Sequence, residues 1–63
     1  MSFKPGMAVI YVPYHASGNR YHPDCERGVI TSINAQTGTI FVRFGQMVNS
    51  QGCKPDQLVR EVA

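Results

Sequence analysis

The chain has 63 residues, 43% of them hydrophobic and 16% charged, with a formal net charge of +2. A chain this short buries only about 60% of its unfolded surface, so it holds one domain, residues 1–63, with a small core, while its apolar content excludes a disordered, highly charged polymer. Lys4, Arg20, Arg27, Arg43, Lys54 and Arg60 are scattered among Asp24, Glu26, Asp56 and Glu61, which excludes a block of like charge.

The first residues, Met-Ser-Phe-Lys-Pro-Gly-Met, lack the pattern of a signal peptide, and no apolar run reaches membrane-spanning length. A cytoplasmic protein without a membrane partner is the expectation. In that compartment Cys25 and Cys53 are reduced thiols rather than a bridge. Core energy is scarce at this size, so a bound metal, a disulfide or assembly into a homo-oligomer would each supply further stability.

Lys4-Pro5-Gly6 is a turn signal, and Met7 to Pro13 follows as an apolar, β-branched run suited to a buried strand. Pro13 cannot donate to a ladder, so regular pairing is expected to weaken where the loop from Tyr14 to Asp24 begins. Glu26 to Asn34 predicts a second strand. Strict alternation puts Val29, Thr31 and Ile33 on its inner face and Ile30 outside, unless a bulge resets the register.

Ala35-Gln36-Thr37-Gly38 predicts a hairpin connection. It leads into a third strand from Thr39 to Phe44 with Ile40, Val42 and Phe44 pointing to the core and Phe41 on the opposite face. Gly45 to Gly52 reads as a second long loop with nothing that suggests chemistry. Lys54 to Val62 reads as a tight turn and a final strand, with a short helix opened by Pro55 as the alternative.

Short strands divided by turn signals, with no long amphipathic helix, point to an all-β fold, a small antiparallel barrel. The order is a strand after Pro-Gly, a long loop, a Gly-Val-Ile strand, a hairpin to Ile-Phe-Val-Arg-Phe, another loop and Pro-x-x-Leu-Val. It resembles SH3-like barrels of the KOW and Tudor type. The resemblance implies a five-stranded SH3-like barrel with a long first loop and a short turn before the last strand, the two lying side by side as a ligand groove. The stretch "HASGNRYHPDCERGVITSIN" is also similar to short proteins encoded by phages and prophages. That likeness implies an accessory or inhibitory protein whose partner is a host protein in the host cytoplasm.

Both histidines of the chain fall in the first long loop, each beside a tyrosine, in "YHASGNRYH". A two-residue turn on Gly18-Asn19 would make the loop a hairpin with Ser17 opposite Arg20, Ala16 opposite Tyr21 and His15 opposite His22. Nitrogen and thiolate donors suit zinc. His15, His22 and Cys25 are therefore candidate ligands of a Zn2+ ion, with Cys53 as the fourth, because the resemblance to an SH3-like barrel implies that the turn before the last strand lies near this loop. The alternative is a rigid loop in which the histidines hydrogen-bond locally, Asp24 forms an Asx-type turn and Cys25 is a small buried residue.

Cys25, a histidine base and Asp24 are also the residue types of a nucleophilic triad. Such a triad needs an oxyanion site and a cleft that one small domain hardly provides, so the expectation is not an enzyme. Tyr14, His15, Arg20, Tyr21, His22, Phe41 and Arg43 are the candidate binding residues, because aromatics beside cations form cages and stacking platforms. The leading expectation is a module that binds a macromolecule through the loop from Tyr14 to Glu26. The alternative is a barrel that binds nucleic acid or sequesters a nucleotide.

Overall fold

The computed structural model describes residues 3–45 and 47–61. Val62, on which the helical alternative for the tail partly rested, lies outside them, as do Met1 and Ser2 at the start of the chain. Among the described residues there are five strands: β1 (Ala8–Tyr11), β2 (Glu26–Asn34), β3 (Thr39–Phe44), β4 (Gln51–Cys53) and β5 (Leu58–Arg60). They form one antiparallel sheet in the order β4-β3-β2-β1-β5. The sheet is not closed, and β4 and β5 are its edges.

Among the described residues no helix is long and apolar enough to cross a membrane. The tail resolves as one 3-10 turn, Pro55–Gln57, followed by β5. Proline supplies the fixed φ that opens such a turn. The Gln57 side chain accepts the Lys54 N–H and stops the turn from unwinding. Gly45 to Gly52, expected as loop throughout, instead delivers Gln51 and Gly52 into β4.

One core draws on every strand: Val9 from β1, Ile30 from β2, Ile40, Val42 and Phe44 from β3, Cys53 from β4 and Leu58 from β5. A flat five-stranded sheet would hold its two edges far apart, since neighbouring strands are about 4.8 Å apart. Edge residues Cys53 and Leu58 share a cluster here, so the sheet curls over its own inner face. Tyr11 closes this core with its ring edge-on to Phe44, at a centroid distance of 6.0 Å.

The inner face of β2 differs from strict alternation. Ile30 pairs with Val42 and is 1% exposed, whereas Val29 pairs with Arg43 and is 43% exposed. The register shifts between Ile30 and Ser32, leaving Thr31 as the extra residue of a β-bulge. Thr31 Oγ1 donates to the Phe41 carbonyl at 3.2 Å and lies 2.6 Å from Ser50 Oγ. The bulge is thereby tied to both its partner strand and the β3–β4 loop.

β1 is buried on both faces. Val9 belongs to the inner core, while Ile10 and Val12 form a second cluster with Ala16, against which Cys25 and Val59 pack. The run Val9-Ile10-Tyr11-Val12 is apolar without alternation because the loop after Pro13 folds back over the outer side of β1 and β5. That loop carries the candidate site.

Candidate functional site

The loop is built from successive tight turns. Ala16 N–H donates to Pro13 O at 2.9 Å, Asn19 N–H to Ala16 O at 3.0 Å, His22 N–H to Asn19 O at 3.1 Å and Cys25 N–H to His22 O at 3.0 Å. Each bond spans three residues, so the chain from Pro13 to Cys25 is one ladder of four linked turns. Its first rung is the 3-10 turn Tyr14–Ala16, which ends on Ser17 in the left-handed region at φ 53°. Asn19 adds an Asx turn by accepting the Tyr21 N–H at 3.1 Å.

This arrangement replaces the expected hairpin on Gly18-Asn19. No strand forms between Val12 and Cys25, and the proposed pairs Ser17 with Arg20 and Ala16 with Tyr21 have no ladder to join. Gly18 has φ +79°. With Ser17 also left-handed, the chain turns one residue earlier than a Gly-Asn pivot requires. Ala16 is drawn into the second core cluster, and that burial decides in favour of the 3-10 turn.

The two histidines nevertheless meet, edge to face, with ring centroids 5.3 Å apart. His15 Nε2 lies 2.7 Å from Asp24 Oδ2. A carboxylate only accepts, so this nitrogen carries a proton. Asp24 N–H donates to His22 Nδ1 at 3.0 Å, which places the ring proton of a neutral His22 on Nε2. Asp24 therefore engages both imidazoles, one through its side chain and one through its backbone.

The four zinc ligands expected from sequence are not brought together. Among the described residues, the group of donors that converges is His15, His22 and Asp24, with all ligand atoms within 4.8 Å of one another. Cys25 instead donates its thiol to Asn19 O at 3.4 Å and packs on the second cluster. Cys53 is 5% exposed in the inner core. Both cysteines are free thiols. Asp24, read as an Asx-turn former or triad orienter, is the donor that sequence spacing did not single out, because its approach to His15 depends on the ladder of turns.

The remaining candidates divide. Tyr14 donates to both carboxylate oxygens of Asp56, each at 3.1 Å, and so links the loop to the turn before β5. Its partial withdrawal from water and the adjacent Asp56 carboxylate hold the phenol above its ordinary value. Arg20 donates to the Arg60 carbonyl at 3.2 Å, closing the loop onto the β5 edge. Tyr21 is 86% exposed. The first loop and the turn before the last strand do lie side by side, joined by the Tyr14–Asp56 contact.

Arg43 joins the loop surface through Arg27. Arg20, Tyr21, Arg27 and Glu61 line one shallow depression, and Arg27, Val29, Arg43 and Glu61 line the next. Arg27 Nε lies 3.4 Å from Glu61 Oε2. Phe41 stands apart from this strip: it is half-buried on β3 opposite Ser32 and Gly52. A Cβ placed on Gly52 would lie 3.5 Å from its ring, so Phe41 covers a glycine.

The buried thiol of Cys53 gives a pH prediction. Desolvation, reinforced by the Glu26 carboxylate, raises its pKa above the ordinary value. A raised folded-state value means the stabilisation is complete below the unfolded thiol's pKa of about 8.5 and is lost as pH rises beyond it. Urea midpoints are expected to fall between pH 8 and pH 10. In Cys53→Ala that part of the slope should vanish, and an unchanged slope would assign it elsewhere.

No family model, curated protein or solved structure matches this chain.

Proposed function

We propose that the chain is a non-enzymatic binding module that takes a protein partner on the loop from Tyr14 to Glu26. The observation that carries this reading is Tyr21, 86% exposed on a backbone fixed by the four linked turns. A large aromatic held out on an ordered loop is a preorganised anchor, because little freedom remains to be lost on binding. Tyr14 and His15 are exposed on the same loop.

The scaffold we infer is an SH3-like barrel. It is supported by the strand order, in which every neighbour is sequential except for the β1–β5 pair, and by the core shared between both edges. A host protein as target and the cytoplasm as compartment rest on the likeness of residues 15–34 to phage-encoded proteins. Small cores leave room for self-association, so the partner's stoichiometry includes a homo-oligomer of this chain.

The test is affinity capture from bacterial lysate with the wild-type chain, Tyr21→Ala and a control changed at the far hairpin, Gln36→Ala. A partner held by the wild type and the control but lost by Tyr21→Ala supports the reading. Tyr21→Ala should also leave the unfolding free energy within about 0.5 kcal/mol of wild type, as expected for an exposed residue. Equal capture by all three proteins would overturn the assignment of the loop.

One observation favours a second reading: the strip of Arg20, Arg27 and Arg43 beside Tyr21 suits a single-stranded nucleic acid, with phosphates on the guanidiniums and a base on the ring. Three phosphate contacts give a slope of about −2 in log K against log salt. Binding of an oligonucleotide with that slope, abolished by Arg27→Ala with Arg43→Ala, would select this reading over the protein partner.

A further inference from the structure

We propose that His15, His22 and Asp24 form a site for a borderline divalent cation of the Zn2+ class, held by two imidazoles and one carboxylate with solvent completing its shell. This goes beyond the binding-module reading and stands independently of it. The donor set decides the class of ion. Two nitrogens and one carboxylate oxygen suit Zn2+ and its first-row neighbours, whereas Ca2+ and Mg2+ prefer a shell of oxygens.

The geometry is close to what such an ion needs. Donors bound tetrahedrally at about 2.0–2.1 Å sit roughly 3.3 Å from one another. His15 Nε2 and Asp24 Oδ2 are 2.7 Å apart, and the three donors lie within 4.8 Å of each other. An ion therefore has to part the first pair slightly and draw the third donor inward. All this is side-chain rotation, since His15 and Asp24 are exposed and His22 is half-buried.

The backbone needs no such adjustment. His15 precedes Ala16, which is buried in the second cluster, and Asp24 precedes Cys25, which packs on the same cluster. His22 lies between them with its own N–H bonded to Asn19 O. Each ligand is thus fixed by its place on one ladder of turns, which removes much of the ordering cost that an unstructured loop would meet on binding metal.

Proton placement is also favourable. His22 in its neutral form has its proton on Nε2, so its Nδ1 lone pair, which now accepts from the Asp24 amide, becomes free for the ion once the imidazole rotates away and water takes its place on that N–H. His15 binds through Nε2 by moving its ring proton to Nδ1, with no net proton lost. The Asp24 carboxylate, which now accepts from His15, becomes the charged ligand. Acid weakens the site because protons compete for the imidazole nitrogens.

The test is calorimetric titration of the full, untagged chain with ZnCl2, beside Asp24→Asn, His22→Ala and Cys25→Ala, each checked for folding by far-UV circular dichroism. One ion per chain is expected. Binding should weaken at least about tenfold in Asp24→Asn and His22→Ala and stay unchanged in Cys25→Ala. Zinc at 100 times its Kd should raise the Tm by roughly 10–20 °C, and Mg2+ should have no such effect. Co2+ should give the visible bands of a tetrahedral site without a sulfur-to-metal charge-transfer band.

No stoichiometric uptake by the wild type would overturn the proposal. So would undiminished uptake in Asp24→Asn, which keeps the side-chain shape, equal uptake of Mg2+, or a thiolate band with Co2+. The titration contains no partner, so its failure and the failure of partner capture are separately visible.

Discussion

Gly28→Ala is expected to cost about 3 kcal/mol, the upper end for inserting one carbon into a packed core. A Cβ on Gly28 would lie 2.6 Å from Val42 Cγ1, 2.8 Å from the Arg43 carbonyl oxygen and 2.9 Å from Phe44 Cδ1. The carbonyl belongs to the β3 backbone that pairs with Gly28's own strand, so it cannot yield without breaking the ladder. Val42 and Phe44 are themselves in the inner core, with no exposed direction in which to move.

A domain of this size has a total stability of roughly 3–9 kcal/mol, and the substitution therefore removes a large part of it. The measurement is urea unfolding followed by far-UV circular dichroism, with Gly52→Ala as control. At Gly52 the nearest atom to an added Cβ is the Thr39 Cγ2 methyl at 3.1 Å. Gly52 itself sits on the edge strand β4, and the smaller freedom of alanine in the unfolded chain offsets part of any strain. Gly52→Ala should stay within about 1 kcal/mol of wild type. A Gly28→Ala variant as stable as Gly52→Ala would mean that β2 and β3 are not packed as described.

The candidate site was legible in its composition and only partly in its geometry. Two histidines in one short loop were a sound reason to expect contact, and their rings do lie 5.3 Å apart. The route to that contact was hidden. A Gly-Asn pair favours a hairpin when both arms are free to be strands, but Ala16 has a buried place against Ile10 and Val12. Burial of that small residue outweighs a local turn preference, and the arms become linked turns instead. Asp24 could not be recognised as a partner of His15 without those turns. Cys53, expected as a fourth zinc ligand on the strength of its residue type, is claimed by the core, where a small apolar thiol fits equally well.

The fold was easier to read where polar and apolar residues alternate without interruption. Thr39 to Phe44 alternates throughout, and the residues expected inside, Ile40, Val42 and Phe44, are 2%, 0% and 4% exposed. The strand bounds of β2 and β3 also coincide with those expected. The curl of the sheet was not readable in the same way, because it depends on which edge residues reach a common core. That information lies in Cys53 and Leu58, which are close in sequence but stand on opposite edges of the sheet.

The largest contrast between neighbouring residues is expected along β2. Ile30→Ala should cost about 2–5 kcal/mol, as a buried isoleucine reduced to a methyl group leaves a cavity, while Val29→Ala should stay within about 0.5 kcal/mol. Cross-strand partners share a face, and this fixes the phase. Gly28 and Ile30 oppose Phe44 and Val42, both inner residues, so even positions point inward before the bulge. After it, Ile33 opposes Ile40, and an odd position takes the inner side.

Alternation counted backwards from Ile33 is therefore right at Ile33 and wrong at Val29, because one extra residue at Thr31 inverts the period. Ile33 itself lies near the end of the strand and keeps 36% of its surface in water, so Ile33→Ala should fall between the other two, at about 1 kcal/mol. The three variants, unfolded in urea under one set of conditions, give an order of cost that an unbulged strand cannot produce. With strict alternation Val29 and Ile33 would both be costly and Ile30 neutral. Finding that order would remove the bulge, and with it the inner face on which Gly28 meets Val42 and Phe44.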